Sequence, residues 1–565
     1  MQNKKRQSIF QFIILVAILI FVNIISRYFY GYFDLTEDKR YSITQPTKDL
    51  VKNLEDKVFI DVYLTGDNIP ADYRQLQEAT IAMLDRFRAM NPNVDYQFVD
   101  PNPSNQTEKQ QMWEKLKTIG IVPKLLTNKE DLTAQPIFPF AAMRFGDRVT
   151  SVSLVQADAP QAMPEEVLLK NSINLLEYNF ANGFKSLKNA ERPYVLFVEG
   201  HGELSPFERA DFEKTLKQYY EVESTSLDSM VYIDSKIDVV VMARPLVAIP
   251  KKHQFMLDQY IMNGGNVLWL LDRLNVTIDS LRGKEAYVPY DNQLDLESMF
   301  FKYGVRFNSA LALDFNNTRI PQVVGQVGGK PQIELKPWAY HPKVKPSTAH
   351  PITKNLDYVD LQFPTVLDTI QTANRIKKSI LLSTSERSRI QRSPVRVSFE
   401  ITRYKLDPAQ FNKVNIPVAI LLEGEFPSAF KGVVAPETIQ GLQRLGLEYK
   451  EKADPNAKML VVADGDIAKN IIDYRNNTYQ PLGYNPFEKY QFANKSFLLN
   501  TIDYMLDDEG ITAARMKEVK LRVLDKAKIQ ESKSKWQIIN ILLPLVFLVV
   551  FGLLFNYVRQ RRFAQ

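Results

Sequence analysis

The stretch VEGHGE, Val198 to Glu203, sets Glu199, His201 and Glu203 at alternate positions directly after an apolar run. Carboxylates beside an imidazole can move protons as a general acid–base set or hold a divalent metal. Other acidic residues fall in equivalent places, just past apolar runs: Asp272, Glu423, and Asp464 with Asp466 in VVADGD. Ligands of open α/β sheets bind outside the carboxyl ends of the strands. If the strands before these residues are neighbours, Glu199, His201, Glu203, Asp272, Asp464 and Asp466 line one candidate ligand crevice. A plainer reading competes with it. Gly200 and Gly202 permit the backbone angles of a sharp strand-to-helix turn. Glu203 lies close before a helix start, where the helix dipole favours negative charge. The spacing matches no nucleophile elbow, phosphate loop or zinc-protease helix. A structural turn is therefore the first reading, a ligand-binding rim the second and an enzyme site the third. No catalytic residue, metal ligand or cofactor is assigned. Trp338, Tyr340 and His341 in PWAYHP offer a partner or glycan surface, with a hydrophobic cluster under a long loop as the preferred alternative.

The elements that must position these residues form an α/β alternation in two parts. In residues 34–190, helices are expected at Ser42–Asn53, Asp72–Met90, Glu108–Thr118 and Glu165–Lys188. Strands are expected at Val58–Leu64 and Val94–Val99, with an uncertain one near Ile121 and a hairpin turning at Gly146-Asp147. The order β-α-β-α-(β)-β-β-α is that of a thioredoxin-like fold. The chain has no cysteine, so a structural or docking domain is expected rather than a redox one. Residues 191–508 begin a second unit. Strand Tyr194–Val198 leads to helix Ser205–Tyr219, where Ser205, Pro206 and Glu208 write a capping box. Strands Val222–Ser226 and Asp238–Met242, helix Lys251–Met262 and strand Val267–Leu271 then indicate a largely parallel sheet covered on both faces. QVVGQVGGKPQIELK reads as a hairpin with a Gly328-Gly329 turn. PWAYHPKVKPSTAHPITKNL reads as a surface excursion. Regular structure returns at Pro417–Leu422, Met459–Val462 and Phe497–Met505.

Both ends carry membrane signals. Ile9 to Tyr30 is nearly all apolar up to Ser26, follows Lys4, Lys5 and Arg6, and runs into an aromatic belt without a small-residue cleavage site. Trp536 to Val558 is a second span with Trp536 and Tyr557 at its interfaces and Arg559, Arg561 and Arg562 beyond. The expected layout is a cytoplasmic segment 1–8, a transmembrane helix 9–31, the two soluble units, a basic membrane-proximal stalk 509–535, a transmembrane helix 536–558 and a cytoplasmic segment 559–565. The positive-inside rule puts both termini in the cytoplasm. The main body then lies in the periplasm of a diderm host, tethered to the inner membrane, with the lipid bilayer as one partner. The net charge of +6 over 565 residues, without an arginine-rich arm, does not indicate nucleic-acid binding.

Several stretches together resemble a known family: DLTEDKRYSIT, VYLTGDNIPADYRQLQEA, FVEGHGELS, VVADGD, and NKSFLLNTIDYMLDDEGITAARMKEVKLRVLD running into the last span. Their order and spacing resemble the gliding-motility-associated ABC transporter family GldG of the Bacteroidetes. The resemblance implies an auxiliary subunit beside an ABC permease (GldF-like) and a cytoplasmic ATPase (GldA-like). It also implies that the second unit is a Rossmann-like relative of amidotransferase-like folds, shared with an intraflagellar transport protein. The cysteine nucleophile of those amidotransferases is absent here. A non-enzymatic role follows from the resemblance, and a solute- or glycan-binding receptor is the alternative.

Overall fold

The computed structural model describes residues 10, 12–21, 42–66, 69–127, 134–156, 163–188, 191–372, 374–517 and 526–563. Residues 41–517 belong to one compact unit, and residues 518–565 to another. Phe12–Phe21 is a short apolar helix. The rest of the first expected span, the aromatic belt after it and residues 518–525 of the expected stalk lie outside the described residues.

Helix α1 (Gln45–Lys52), strand β1 (Val58–Val62), helix α2 (Ala71–Met90) and strand β2 (Val94–Phe98) open the first sheet. Strands β3 (Phe140–Phe145) and β4 (Arg148–Ser153) complete it, and α3 (Glu165–Lys188) follows. The strand order is β2-β1-β3-β4. β1 runs parallel to β2 and antiparallel to β3. α3 has Glu165 and Glu166 in its first turn and Lys185 and Lys188 in its last, each matching the helix dipole. Its apolar stripe, including Phe180 and Phe184, packs edge-on against Phe87 of α2.

A ten-stranded sheet occupies the rest of the unit. Its parallel half is built from β5 (Tyr194–Glu199), β6 (Glu221–Ser226), β7 (Val239–Ala243) and β8 (Asn266–Leu270). The other half contains the hairpin β9 (Asn317–Val327) and β10 (Lys330–Pro346), then β11 (Ile376–Ser383), β12 (Pro417–Gly424) and β13 (Lys458–Val462). The order is β9-β10-β11-β12-β13-β8-β7-β5-β6, with one short strand pairing to β10 at the side. β6, β5, β7, β8 and β13 are mutually parallel, while β12 reverses against β13. β7 and β8 read VVVMA and NVLWL and are buried on both faces, as a helix-covered parallel sheet requires. Helices α4 (Ala210–Leu216), α5 (Lys251–Met262), α6 (Pro436–Arg444) and α7 (Asn494–Met505) accompany this sheet.

Three expectations are corrected. PWAYHP is not a surface excursion. It is part of β10, with Trp338, Tyr340 and His341 buried in a cluster that includes Phe363 and packs against Phe399. Its prolines fit because the β9–β10 register shifts between Asn317 and Arg319, and Asn317 Oδ1 receives the Trp338 N–H at 2.9 Å. Prolines are tolerated at such irregularities. The three rings therefore present no stacking surface. The second correction concerns the start of the expected basic stalk. Ile511 and Ala514 are buried in the core of the first sheet. Arg515 covers the Tyr178 ring at 4.1 Å, and Lys517 binds Glu177 of α3, which also accepts the Thr44 N–H at 2.7 Å. Third, helix Ser205–Tyr219 is shorter than expected: the Ser205–Glu208 capping box forms, but regular helix spans Ala210–Leu216.

Helix α8 (Lys526–Phe563) contains Lys535–Arg561, 27 residues whose most apolar stretch of 18 has a mean hydropathy of 2.9 and is not buried at all. That length and composition can cross a bilayer.

Candidate functional site

The parallel order places the carboxyl ends of β5, β7, β8 and β13 along one edge of the large sheet. Glu199, His201, Glu203, Asp272, Asp464 and Asp466 all lie at that edge. Glu423 does not, because β12 runs the other way. It binds Lys377 at 2.8 Å and the Tyr504 hydroxyl at 2.7 Å.

At the edge, the side chains separate into three hydrogen-bonded groups. Glu199 is the counter-ion of Arg209, a fully buried guanidinium on the turn before α4, at 2.7 Å. Arg209 also donates to Ser224 Oγ at 2.6 Å and to the Leu204 carbonyl, and lies 4.7 Å over the Phe197 ring. Gly200 and Gly202 both have positive φ, +113° and +78°. A Cβ on Gly200 would meet Ser226 Oγ at 3.0 Å, so the turn needs glycine there on both counts.

His201 is buried. Its backbone N–H donates to Glu203 Oε2 at 2.7 Å, and its Nδ1 is 2.8 Å from Glu203 Oε1. Its Nε2 is 2.9 Å from Nδ1 of His253, in the first turn of α5. His253 Nε2 lies 3.1 Å from Asp228 without hydrogen-bond alignment. Burial pushes the His253 pKa down, and the neighbouring His201 adds to that. The His201 carbonyl accepts from the Leu246 and Val247 N–H groups at 2.8 and 3.0 Å. This row can relay a proton, but it also fixes two loops.

The third group gathers Asp272, Asp464 and Asp466 around Arg244. Arg244 Nε is 3.0 Å from Asp272 and 3.2 Å from Asp466. Asp272 accepts the Gly465 N–H at 2.7 Å. Asp464 accepts the Gln362 N–H at 2.6 Å and the Asp466 N–H at 2.9 Å. A Cβ on Gly465 would strike the Arg244 side chain at 2.6 Å, so the glycine of VVADGD makes room for the cation. Burial and then the Asp466 charge push the Asp272 pKa up to about 6. Asp464 is raised by burial and by the same carboxylates. Arg244, with Lys469 3.7 Å from Asp466 and shared with Glu208, does not neutralise three buried carboxylates, so a proton shared among them is the physical consequence. Among the described residues, no group of three or more His, Asp or Glu is placed to hold a metal ion.

Arg209 and Arg244 are the residues that the carboxylate pattern does not reveal. Each follows a run of buried apolar residues or a turn, and a basic residue in that place is the signal that the acids have internal partners.

The family described as "ABC-type uncharacterized transport system" matches residues 192–501, more than half of the chain. A domain family of unknown function matches residues 37–144. A protein of Borreliella burgdorferi is 22% identical over 583 aligned positions, covering 100% of both chains. The solved mmIFT52 N-terminal domain aligns with 55% of this chain and 96% of its own length at 11% identity, with a TM-score of 0.27. A likeness at that score carries no argument about fold or function.

Proposed function

This chain belongs to the ABC-type transport-system auxiliary family, and from that premise we propose that it is a non-catalytic subunit of a GldG-like complex. As an accessory of an ABC transport system, it has other transporter components as partners. Membrane association is in keeping with the apolar helix Lys535–Arg561. The finer reading adds a GldF-like permease, a GldA-like ATPase and a link to gliding motility. It also adds an inner-membrane tether at both ends, with the main body in the periplasm. The β2-β1-β3-β4 order and its strand directions support a thioredoxin-like domain over 34–190. The helix-covered parallel half supports a Rossmann-like domain over 191–508.

The observation that carries this reading is the family match over 192–501. The edge at Glu199, His201 and Asp464 supports a structural role. Its carboxylates are held by Arg209, Arg244 and backbone N–H groups, and no activated nucleophile is assembled there. A receptor reading through that edge would need those internal partners to be displaced.

Purification from native membranes in mild detergent tests the proposal. A multispan permease and an ATPase are expected to co-purify in fixed ratio. Recovery of the chain without them, in several detergents, sinks the auxiliary-subunit reading.

A further inference from the structure

The first sheet and the large sheet meet along a polar seam. A cavity of about 180 Å³ lies in it, between β4 and α3 on one side and α7 on the other, with Asn355 and Arg515 on its wall. A cavity of roughly 150 Å³ is enough for a benzene-sized ring. Many polar groups around the space are spent on the chain itself. Asn179 and Asn500 each donate to a main-chain carbonyl at 2.9 Å, of Ser153 and Ile352 respectively. Ser153 Oγ donates to the Val155 carbonyl at 2.6 Å. Asp503 accepts the Tyr178 hydroxyl at 2.7 Å on one oxygen and the Tyr220 hydroxyl at 2.5 Å on the other.

Three groups on the same wall are not spent. Arg515 Nε, Asn355 Nδ2 and Gln156 Oε1 are buried and have no hydrogen-bond partner among the described residues. Arg515 is the strongest case. Its side chain is 13% exposed, and the carboxylate it pairs with, Asp503, is 3.9 Å away, beyond hydrogen-bond reach. Its guanidinium sits 4.1 Å over the Tyr178 ring. The ring takes one face of the cation, and the N–H groups at its edge remain to be met. A buried donor or acceptor left unmet bears its full desolvation cost. The partner of these three groups therefore comes from outside the fold, as solvent or as a ligand.

The chemistry of the wall selects among ligands. Its charged side chains are Arg515, Lys354 and Asp503, two cations and one anion. That excess suits a ligand with a single negative charge. Arg515 and Asn355 present donors, which a carboxylate accepts. Gln156 presents an acceptor, which an ionised carboxylate cannot meet and a hydroxyl can. An amino acid also carries a donor, but its ammonium group cancels the charge that the wall selects.

We propose that this cavity binds a small hydroxylated carboxylic acid. The carboxylate meets the Arg515 guanidinium and the Asn355 amide, and a hydroxyl donates to Gln156 Oε1. The site is independent of whether the chain works beside a permease.

Calorimetry on the full chain in detergent tests it, with glycerate and gluconate as probes. Saturable binding of at least one is expected, weakening as salt is added. Propionate, which lacks the hydroxyls, should bind several-fold more weakly than that acid. Serine, glycerol and inorganic phosphate should be weaker still, roughly tenfold or more. Asn355→Gly removes the amide and suits the backbone there, where φ is +60°. The ligand-free melting temperature should therefore hold while affinity for the acid falls roughly tenfold. Gln156→Met should erase the preference over propionate and leave propionate binding as it was. Absence of binding by both acids means that solvent alone meets the three groups, and it overturns the proposal. Equal binding of serine, glycerol or phosphate, unchanged affinity in Asn355→Gly, or a preference that survives Gln156→Met overturns it as well.

Discussion

The two edges of the large sheet carry similar numbers of carboxylates and treat them in opposite ways. At the carboxyl edge, Glu199, Asp272, Asp464 and Asp466 are engaged by Arg209, Arg244 and main-chain N–H groups. At the amino edge, Asp234, Glu448 and Asp508 border open space and, among the described residues, form no salt bridge within 4.0 Å, although Lys458 and Asp508 attract one another. The rule that ligands gather at strand carboxyl ends describes where turns leave room. It does not say whether the acids there are available. Internal partnering decides that, and here it makes the expected edge a clasp.

The largest effect that could break this contrast is at Arg244. Removing it by Arg244→Ala leaves three buried carboxylates with only Lys469 beside Asp466, which costs about 3–5 kcal/mol in comparable buried clusters. Urea denaturation of the soluble body should show a loss of that order. A loss below about 1 kcal/mol means that the carboxyl edge is solvated and its acids are free to take a ligand.

A subtler effect sharpens the same point through pH. In the fold, Asp272 is raised from 3.8 to about 6, so the folded chain holds a proton that the unfolded chain has released. Its contribution to stability is full below about pH 4 and is lost as pH rises through about 6, at up to about 1.4 kcal/mol per pH unit. The stability of the natural chain relative to Asp272→Asn should therefore fall over that window. A flat difference means that no proton is shared around Arg244.

Much of this was readable in the residues. Helices Glu165–Lys188 and Lys251–Met262 lie at the bounds their periodicity indicates, and the glycine hairpin turns at Gly328-Gly329. The gathering of Glu199, His201, Asp272 and Asp464 at one edge follows from apolar parallel strands. The direction of β12 was not readable, because long irregular connections, not local pattern, decide where a sheet reverses. That is why Glu423, just past an apolar run like the others, lies at the opposite edge. PWAYHP misled because proline density mimics a loop, while the register shift that accommodates it depends on Asn317, some twenty positions away. The amino-edge acids are not legible in the sequence for a related reason. Asp234, Glu448 and Asp508 sit in loops with no shared spacing, and only the fold brings them around one space.

The smallest expected effect bears on the amino edge itself. Asp238 is raised by burial and then by the negative charge of Asp508. A carboxyl raised in the fold contributes stability that is present below its ordinary 3.8 and lost as pH climbs through the folded value. At neutral pH the ionised pair is therefore a net strain on that edge. Asp508→Asn removes the like charge and brings Asp238 back toward its ordinary range. The variant should be more stable than the natural chain by a few tenths of a kcal/mol, roughly the size of a surface charge effect. The gain should grow from about pH 4 to 7 and shrink in high salt. If Asp508→Asn destabilises the protein at neutral pH, then the attraction of Lys458 for Asp508 outweighs the repulsion from Asp238, and the two edges do not differ in kind.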